Sequence, residues 1–145
     1  MAVSTPQCNL GWKAVNFDLT DTFGARKTLE TLRGPNGLVI MFICNHCPYV
    51  KAIIERLCRD VVEIQAMGIG VAAIMSNDAH AYPEDSFPNM QKLAKTLNFT
   101  FPYLYDPTQS VAREYGAVCT PDFFGFNKDL ELQYRGRLDS SGIAP

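Results

Sequence analysis

The chain has 145 residues, of which 47% are hydrophobic and 11% aromatic, a length and composition that suit one domain with an apolar core. Its 13 basic and 15 acidic residues give a net charge of -2 and are interspersed, which excludes a broad electropositive face for nucleic acid. No apolar run approaches the ~18 residues of a membrane span, and the amino terminus lacks the pattern of a signal peptide. We therefore predict a single cytoplasmic domain over residues 1–145, irregular at 1–15, without nucleic-acid or membrane partners.

The first predicted element is a small leading β element. Residues 16–19 alternate polar with apolar side chains, and a turn signal separates them from a second short apolar stretch at Leu29 and Leu32. After a Gly-Pro-Asn-Gly turn, residues 38–43 form an uninterrupted apolar run. Such a run predicts a central strand that is covered on both faces.

A parallel strand pair is predicted next. Apolar residues recur at helical spacing over residues 48–67, and Gly68 is placed to end that helix. Residues 69–75 are again an apolar run of strand length. Strand, helix and strand in this order predict a βαβ unit and hence a parallel pair.

The remaining elements predict an antiparallel end to the sheet. The polar stretch 76–86 is expected to be a loop, and helices are expected over 88–97 and 109–115. Two alternating runs at 122–127 and 131–135 then predict a hairpin. The pattern as a whole predicts an α/β fold with a central mixed sheet flanked by helices.

Cys44 and Cys47 form a C-x-x-C sequence at the junction of the predicted central strand and the long helix. Half of a zinc site is one interpretation, but a second C-x-x-C or C-x-x-H is missing, so no metal is predicted. Two buried structural thiols are a second interpretation. A redox dithiol is the third, and the position at a helix start favours it because helix N-termini lower thiol pKa values.

The residues around the pair predict separate roles for the two thiols. The unpaired N–H groups of the helix start would favour a Cys44 thiolate, and His46 could stabilise it further when protonated. Asn45 lies between the cysteines beside His46, and Pro48 suits a first helical turn. We therefore predict that Cys44 attacks and that the more shielded Cys47 resolves the mixed disulfide.

Four stretches carry a family resemblance: FICNHCPYVKAI, SNDAHAYPEDS, FPYLYD and YGAVCTPDFFGFN. Together they resemble the thioredoxin-like proteins of the alkyl hydroperoxide reductase and thiol-specific antioxidant superfamily, over about residues 17–139. The resemblance implies a thioredoxin-like fold and assigns Thr120 and Pro121 to a substrate groove beside the cysteine pair. The family pattern continues past the hairpin into a closing helix that this sequence lacks, so we expect either that the sequence is truncated or that a partner covers that sheet face.

The resemblance also implies an alternative activity, a thiol peroxidase of the peroxiredoxin type. Peroxiredoxins carry P-x-x-x-T-x-x-C, and alignment on Cys47 puts Cys44 at the threonine position and Ile40 at the proline position. The motif therefore survives only in part. For this reason we rank disulfide exchange first and peroxide reduction second, with a non-catalytic or metal-binding module as the remaining alternative.

Four further residues invite a role. Cys119 is adjacent to the predicted groove and is a candidate third redox thiol or a small buried side chain. Asp18 is a candidate buried carboxylate that would exchange protons with Cys47, although an exposed aspartate is the default. Cys58 is expected in the core, and His80 in a solvated loop.

The sequence thus predicts a thiol–disulfide oxidoreductase without a bound cofactor. Its expected partners are a disulfide-containing protein or a small disulfide, with hydroperoxide as the alternative, and an external thiol as electron donor. The oligomeric state has no signal in the sequence.

Overall fold

The computed structural model describes residues 10–45, 48–77, 81–117 and 121–136, without the side chains of residues 48 and 49. The strands are β1 Asp18–Asp21, β2 Arg26–Thr28, β3 Gly37–Phe42, β4 Ile69–Met75, β5 Tyr103–Tyr105, β6 Asp122–Phe126 and β7 Leu132–Gly136. The helices are α1 Leu29–Leu32, α2 Pro48–Ala66, α3 Phe87–Thr96 and α4 Ser110–Tyr115, with a 3-10 helix at Pro83–Asp85.

The strands form one mixed sheet in the order β2-β1-β5-β4-β3-β6-β7. β4 pairs in parallel with β3 and with β5. β6 is antiparallel to β3 and to β7, and β1 is antiparallel to β2 and to β5. The predicted parallel centre and antiparallel hairpin end are both confirmed.

The central strand β3 separates two apolar clusters. Leu38, Ile40 and Phe42 face a cluster that includes Tyr115 and Phe124. The alternate residues of the strand face a second cluster, to which α2 contributes Val50, Ile54 and Val61. Because side chains of a strand point alternately to opposite faces, the continuous apolar run fits a strand covered on both sides.

Two predicted details of the leading element are wrong. The first strand begins at Asp18 rather than at residue 16, and Leu29 and Leu32 lie on the one-turn helix α1 rather than on a strand. The second strand is the polar segment Arg26–Thr28, which pairs with β1. Both leucines project from this helix and are buried in the apolar cluster. Their spacing of three residues is therefore that of one helical turn and not of a strand.

The strand β5 was not predicted. Its three residues are too few for an alternation to show, and Tyr103 and Leu104 are buried by contact with distant elements. β5 pairs with β4 on one side and with β1 on the other. It therefore connects the leading hairpin to the parallel centre of the sheet.

The carboxyl ends of β3, β4 and β5 meet at one border of the sheet, which we call the carboxyl edge. The register aligns Phe42 with Ile74, and Ile74 with Leu104. Residues that follow these three strands are consequently neighbours in space.

Two predictions concern the ends of the chain: an irregular segment at residues 1–15 and the absence of a closing helix. Both segments lie mainly outside the described residues.

No helix in the described part of the chain is long and apolar enough to span a membrane.

Candidate functional site

Cys44 lies at the carboxyl edge, directly after β3. The ladder with β4 extends one residue beyond the strand, because the Ile43 N–H donates to the Ile74 carbonyl at 3.0 Å. The Cys44 residue is 1% exposed and belongs to the apolar cluster on the α2 face. The 19-residue helix α2 begins four positions later, at Pro48. Cys44 thus occupies the short connection between a buried strand and a long helix.

Asn45 connects this turn to two other elements. Its backbone N–H donates to Asp85 Oδ1 at 2.7 Å, and its side-chain Nδ2 donates to the Glu84 carbonyl at 2.9 Å. Its side-chain Oδ1 accepts from the Tyr103 hydroxyl at 2.8 Å. The residue that follows Cys44 is therefore held by hydrogen bonds from its backbone and from both ends of its amide.

Asp85 is a fully buried carboxylate beneath this turn. Its Oδ1 accepts from the Asn45 backbone, and its Oδ2 accepts from Asn77 Nδ2 at 2.9 Å. Asn77 follows β4 at the carboxyl edge, while Asp85 ends the 3-10 helix. A carboxylate is an acceptor at both oxygens, and each Asp85 oxygen accepts from one of these N–H donors.

The 3-10 helix places Asp85 in a defined position. The Asp85 N–H donates to the Tyr82 carbonyl at 2.9 Å, and the Ser86 N–H donates to the Pro83 carbonyl at 3.2 Å. Ser86 then caps α3, since its Oγ accepts from the Asn89 N–H at 3.3 Å. The helix predicted over 88–97 is confirmed as Phe87–Thr96, and its cap fixes the backbone that carries the buried carboxylate.

Tyr103 completes the polar cluster from β5. Burial raises the pKa of its hydroxyl well above the usual 10.0, and the nearby Cys44 and Asp85 raise it further. The hydroxyl therefore stays protonated and donates to Asn45. A buried tyrosine with its hydroxyl satisfied in this way adds a fixed dipole beside Cys44.

Pro121 and the start of β6 bound the other side of the site. Pro121 is buried, and the register that pairs Phe42 with Asp122 puts it at the end of β3 that leads to Cys44. Arg135 donates to Asp122 Oδ2 at 2.7 Å and to the Gly116 carbonyl at 3.0 Å. One arginine thus connects the two ends of the segment 117–121.

Of the predicted site residues, Cys44, Asn45 and Pro121 come together at the carboxyl edge. His46, Cys47, Cys119 and Thr120 lie outside the described residues, as does the side chain of Pro48. The chemical roles assigned to all of these residues remain predictions. His80 also lies outside the described residues.

The exposed position taken as the default for Asp18 is confirmed, and the alternative of a buried carboxylate there is wrong. The Asp18 side chain is 57% exposed and pairs with Arg26 at 3.0 Å on the leading hairpin. The buried carboxylate of the site is Asp85, which lies in the polar stretch 76–86 that was predicted to be a loop. The available signal was the segment SNDAHAYPEDS, one of the four stretches that carry the family resemblance.

Cys58 is only partly buried on α2, at the margin of the apolar cluster rather than inside it. Burial raises the pKa of its thiol above 9.0, and Glu55 raises it further. Among the residues that the structure describes, no group of three or more His, Cys, Asp and Glu side chains could hold a metal ion.

Comparisons with known proteins agree with this architecture. A solved structure of an uncharacterised conserved protein from Geobacillus kaustophilus is 49% identical, with a TM-score of 0.89 over 92% of this chain and 71% of that one. A hypothetical protein from Sinorhizobium meliloti 1021 is 40% identical, with a TM-score of 0.87 over 91% and 72%. A peroxidoxin from Mycobacterium tuberculosis shares the fold at 17% identity, with a TM-score of 0.72 over 87% and 83%.

Other structures of this fold are named thiol–disulfide oxidoreductases. No curated protein sequence matches the chain significantly. The profile of the AhpC/TSA family matches residues 10–135, which is most of the chain. The chain therefore belongs to the AhpC/TSA family and has its thioredoxin-like fold.

Proposed function

We propose that the protein is a thiol–disulfide oxidoreductase in which Cys44 and Cys47 alternate between dithiol and disulfide. The observation that carries the proposal is the position of Cys44, between the end of β3 and the N-terminus of α2. The N–H groups of a first helical turn favour an adjacent thiolate. A thiolate, rather than a thiol, is the species that attacks a disulfide.

The proposed exchange has two steps. Cys44 is 1% exposed, so the exchange requires the turn around it to open. The Cys44 thiolate then attacks one sulfur of a substrate disulfide, whose S–S bond breaks, and the other sulfur leaves as a thiolate and takes up a proton. Cys47 then loses its proton and attacks the Cys44 sulfur, which releases the second substrate sulfur as a thiolate. Two electrons pass from the dithiol to the substrate, and an external thiol returns them by the same exchange in reverse.

The surroundings of Cys44 support a site built for chemistry. A small apolar thiol needs no polar framework, yet Asn45 is held by Asp85, Glu84 and Tyr103. Orientation of a reacting group by hydrogen bonds is how folded proteins align it with its substrate. In this proposal Pro121 borders the groove in which the substrate disulfide lies, with Thr120 next to it, and His46 stabilises the thiolate.

A second candidate is a thiol peroxidase. Membership of the AhpC/TSA family favours it, since a peroxidoxin shares the fold. In that reaction a cysteine thiolate attacks a hydroperoxide, is oxidised to sulfenic acid and releases water or an alcohol. The second thiol would then displace water from the sulfenic acid and form the disulfide.

The first experiment compares the two oxidants on fully reduced protein. Glutathione disulfide and hydrogen peroxide are added separately, free thiols are counted over time, and the modified cysteines are mapped by mass spectrometry. Faster oxidation by glutathione disulfide, with a Cys44–Cys47 bond as the product, is expected. Faster peroxide consumption that begins with sulfenic acid at Cys47 would replace the proposal by the peroxidase.

Serine variants test the roles of the two cysteines. Cys47→Ser should accumulate a mixed disulfide on Cys44, because the resolving thiol is missing, whereas Cys44→Ser should accumulate none. Cys58→Ser is the matched control and should react like the unchanged protein. Full disulfide-reductase activity in both active-site variants would contradict the assignment, and metal bound by the reduced protein would favour a metal-binding module.

A further inference from the structure

The buried carboxylate of Asp85 has no part in the exchange steps described above, although it touches the residue next to Cys44. It lies 40 positions away in sequence, and its hydrogen bond to the Asn45 N–H is 2.7 Å long. A hydrogen bond of this length to a carboxylate is the charge-assisted kind. Asn45 donates hydrogen bonds to two consecutive residues, Glu84 and Asp85. The segment before α3 is therefore hydrogen-bonded directly to the turn after Cys44.

The Tyr103 hydroxyl is under the electrostatic influence of two other groups of this cluster. Its electrostatic surroundings include both Cys44 and Asp85, and each opposes ionisation of the phenol. Because the Asn45 N–H that donates to Asp85 is in the peptide unit that follows Cys44, and Cys44 and Asp85 are both buried, the carboxylate and Cys44 belong to the same buried cluster. The titratable groups that contact Asn45 or lie beside it are Cys44 after β3, Asp85 at the end of the 3-10 helix and Tyr103 on β5.

A fixed negative charge acts differently on the two redox states of the cysteine pair. It opposes a thiolate on Cys44, because two like charges at short range repel in a buried site. It has no such effect on the disulfide, which is uncharged. The carboxylate therefore shifts the equilibrium from the dithiol toward the disulfide, which makes the pair more reducing.

We propose that Asp85 is a positioning residue for the cysteine pair, a role that rests on the proposed dithiol function. Asp85 fixes the backbone at Asn45 and supplies a negative charge that favours the disulfide. This role differs from proton transfer, since it requires no change in the protonation of Asp85. It also opposes the helix N-terminus, which favours the thiolate. The reduction potential of the pair is then the outcome of two opposing effects.

The test is the redox equilibrium of the whole chain with glutathione. Oxidation removes two electrons and two protons from the Cys44 and Cys47 thiols and converts one glutathione disulfide into two glutathione thiols. Unchanged protein and Asp85→Asn are equilibrated at about pH 8 in glutathione buffers of varied ratio, and the disulfide fraction is measured by mass spectrometry. Asparagine keeps an acceptor for the Asn45 N–H and removes the charge.

A change of about one pKa unit at Cys44 shifts this equilibrium roughly three- to tenfold toward the dithiol, which corresponds to about 15–30 mV. Asp85→Ser is a second neutral variant with an acceptor, in case the first folds poorly, and both must shift in the same direction. If a folded neutral variant has an equilibrium constant within about twofold of that of the unchanged protein, Asp85 has only a structural role and the proposal is wrong.

Asp21→Asn is the matched control. Asp21 is also a buried aspartate that accepts from backbone N–H groups, those of Phe23 and Ala25, both at 2.9 Å. It lies on β1, and β5 and β4 lie between β1 and β3 in the sheet. At ordinary strand spacing, β1 and β3 are therefore about 14 Å apart. Its variant should leave the redox equilibrium unchanged. If the unchanged protein forms no Cys44–Cys47 disulfide in any buffer, the proposed function fails, an outcome distinct from equal constants in all variants.

Discussion

The ion pair between Arg135 and Asp122 offers the sharpest test of the packing beside the site. The Asp122 side chain is 1% exposed and that of Arg135 is 13% exposed. The guanidinium also lies 4.8 Å from the centre of the Phe124 ring. Arg135→Met keeps an unbranched apolar side chain at this position and removes the charge.

The expected cost follows from what the substitution leaves behind. Removing one partner of a buried ion pair costs about 3–5 kcal/mol, because the remaining charge loses its compensation in a site with little water. Loss of the cation–π contact adds about 0.5–1 kcal/mol. The free energy of unfolding should therefore fall by about 3.5–6 kcal/mol, which is a large part of the ~5–15 kcal/mol of an ordinary domain.

The assay is urea unfolding followed by circular dichroism, with the linear extrapolation to water. Asp122→Asn and the double variant complete a cycle, and the double variant should recover at least about 1 kcal/mol relative to the sum of the single losses. A loss below about 1 kcal/mol for Arg135→Met, together with additive effects, would show that water screens the pair. The reasoning from burial would then be refuted.

Three further predictions concern residues outside the cysteine pair. Because burial raises the pKa of the Cys58 thiol above 9.0, its alkylation at about pH 8 should be slower than that of free cysteine and should still accelerate above about pH 9, as peptide mapping would show. Burial also raises the pKa of Tyr115. The stability gained from the raised pKa of Tyr115 is thus fully present below the unfolded pKa of about 10. It is lost as the pH rises from there through the folded pKa. Tyr115→Phe removes a hydroxyl that donates to the Val15 carbonyl at 2.6 Å, so urea unfolding should show a loss of about 1–3 kcal/mol at neutral pH and a weaker alkaline decline. At Gly70 an added Cβ would overlap the Leu32 carbonyl oxygen; Gly70→Ala should lower stability by about 1–3 kcal/mol, and an unchanged urea midpoint would contradict this packing.

The central part of the fold could be predicted because its signals are local. An uninterrupted apolar run leads to β3, a helical apolar period to α2, and a second run to β4, whose bounds agree with the prediction. The C-x-x-C sequence at the junction of the first two elements then marks the position of the site. Each of these inferences needs only side chains that are close in sequence.

The buried polar cluster could not be predicted in the same way. Pro-Glu-Asp-Ser has a sufficient local explanation as the start of α3, which the Ser86 cap confirms. Nothing in that segment reveals that the Asp85 side chain meets the Asn45 backbone 40 residues away. Tyr103 was missed for a related reason, since a three-residue strand acquires its burial from its neighbours. Long-range polar contacts carry no periodicity that a single sequence can show.

The direction in which the proposed dithiol runs depends on a balance at Cys44. The N-terminus of α2 stabilises a nearby anion by about 0.3–1 kcal/mol, and by about 2 kcal/mol in a partly buried geometry. A carboxylate that raises the thiol pKa by one unit opposes this by about 1.4 kcal/mol. Because the two effects are of similar size, a helix start and a C-x-x-C sequence alone do not determine whether the pair donates or accepts electrons. The neutral variants of Asp85 isolate one of the two effects, so their shift would show how far the buried carboxylate offsets the helix.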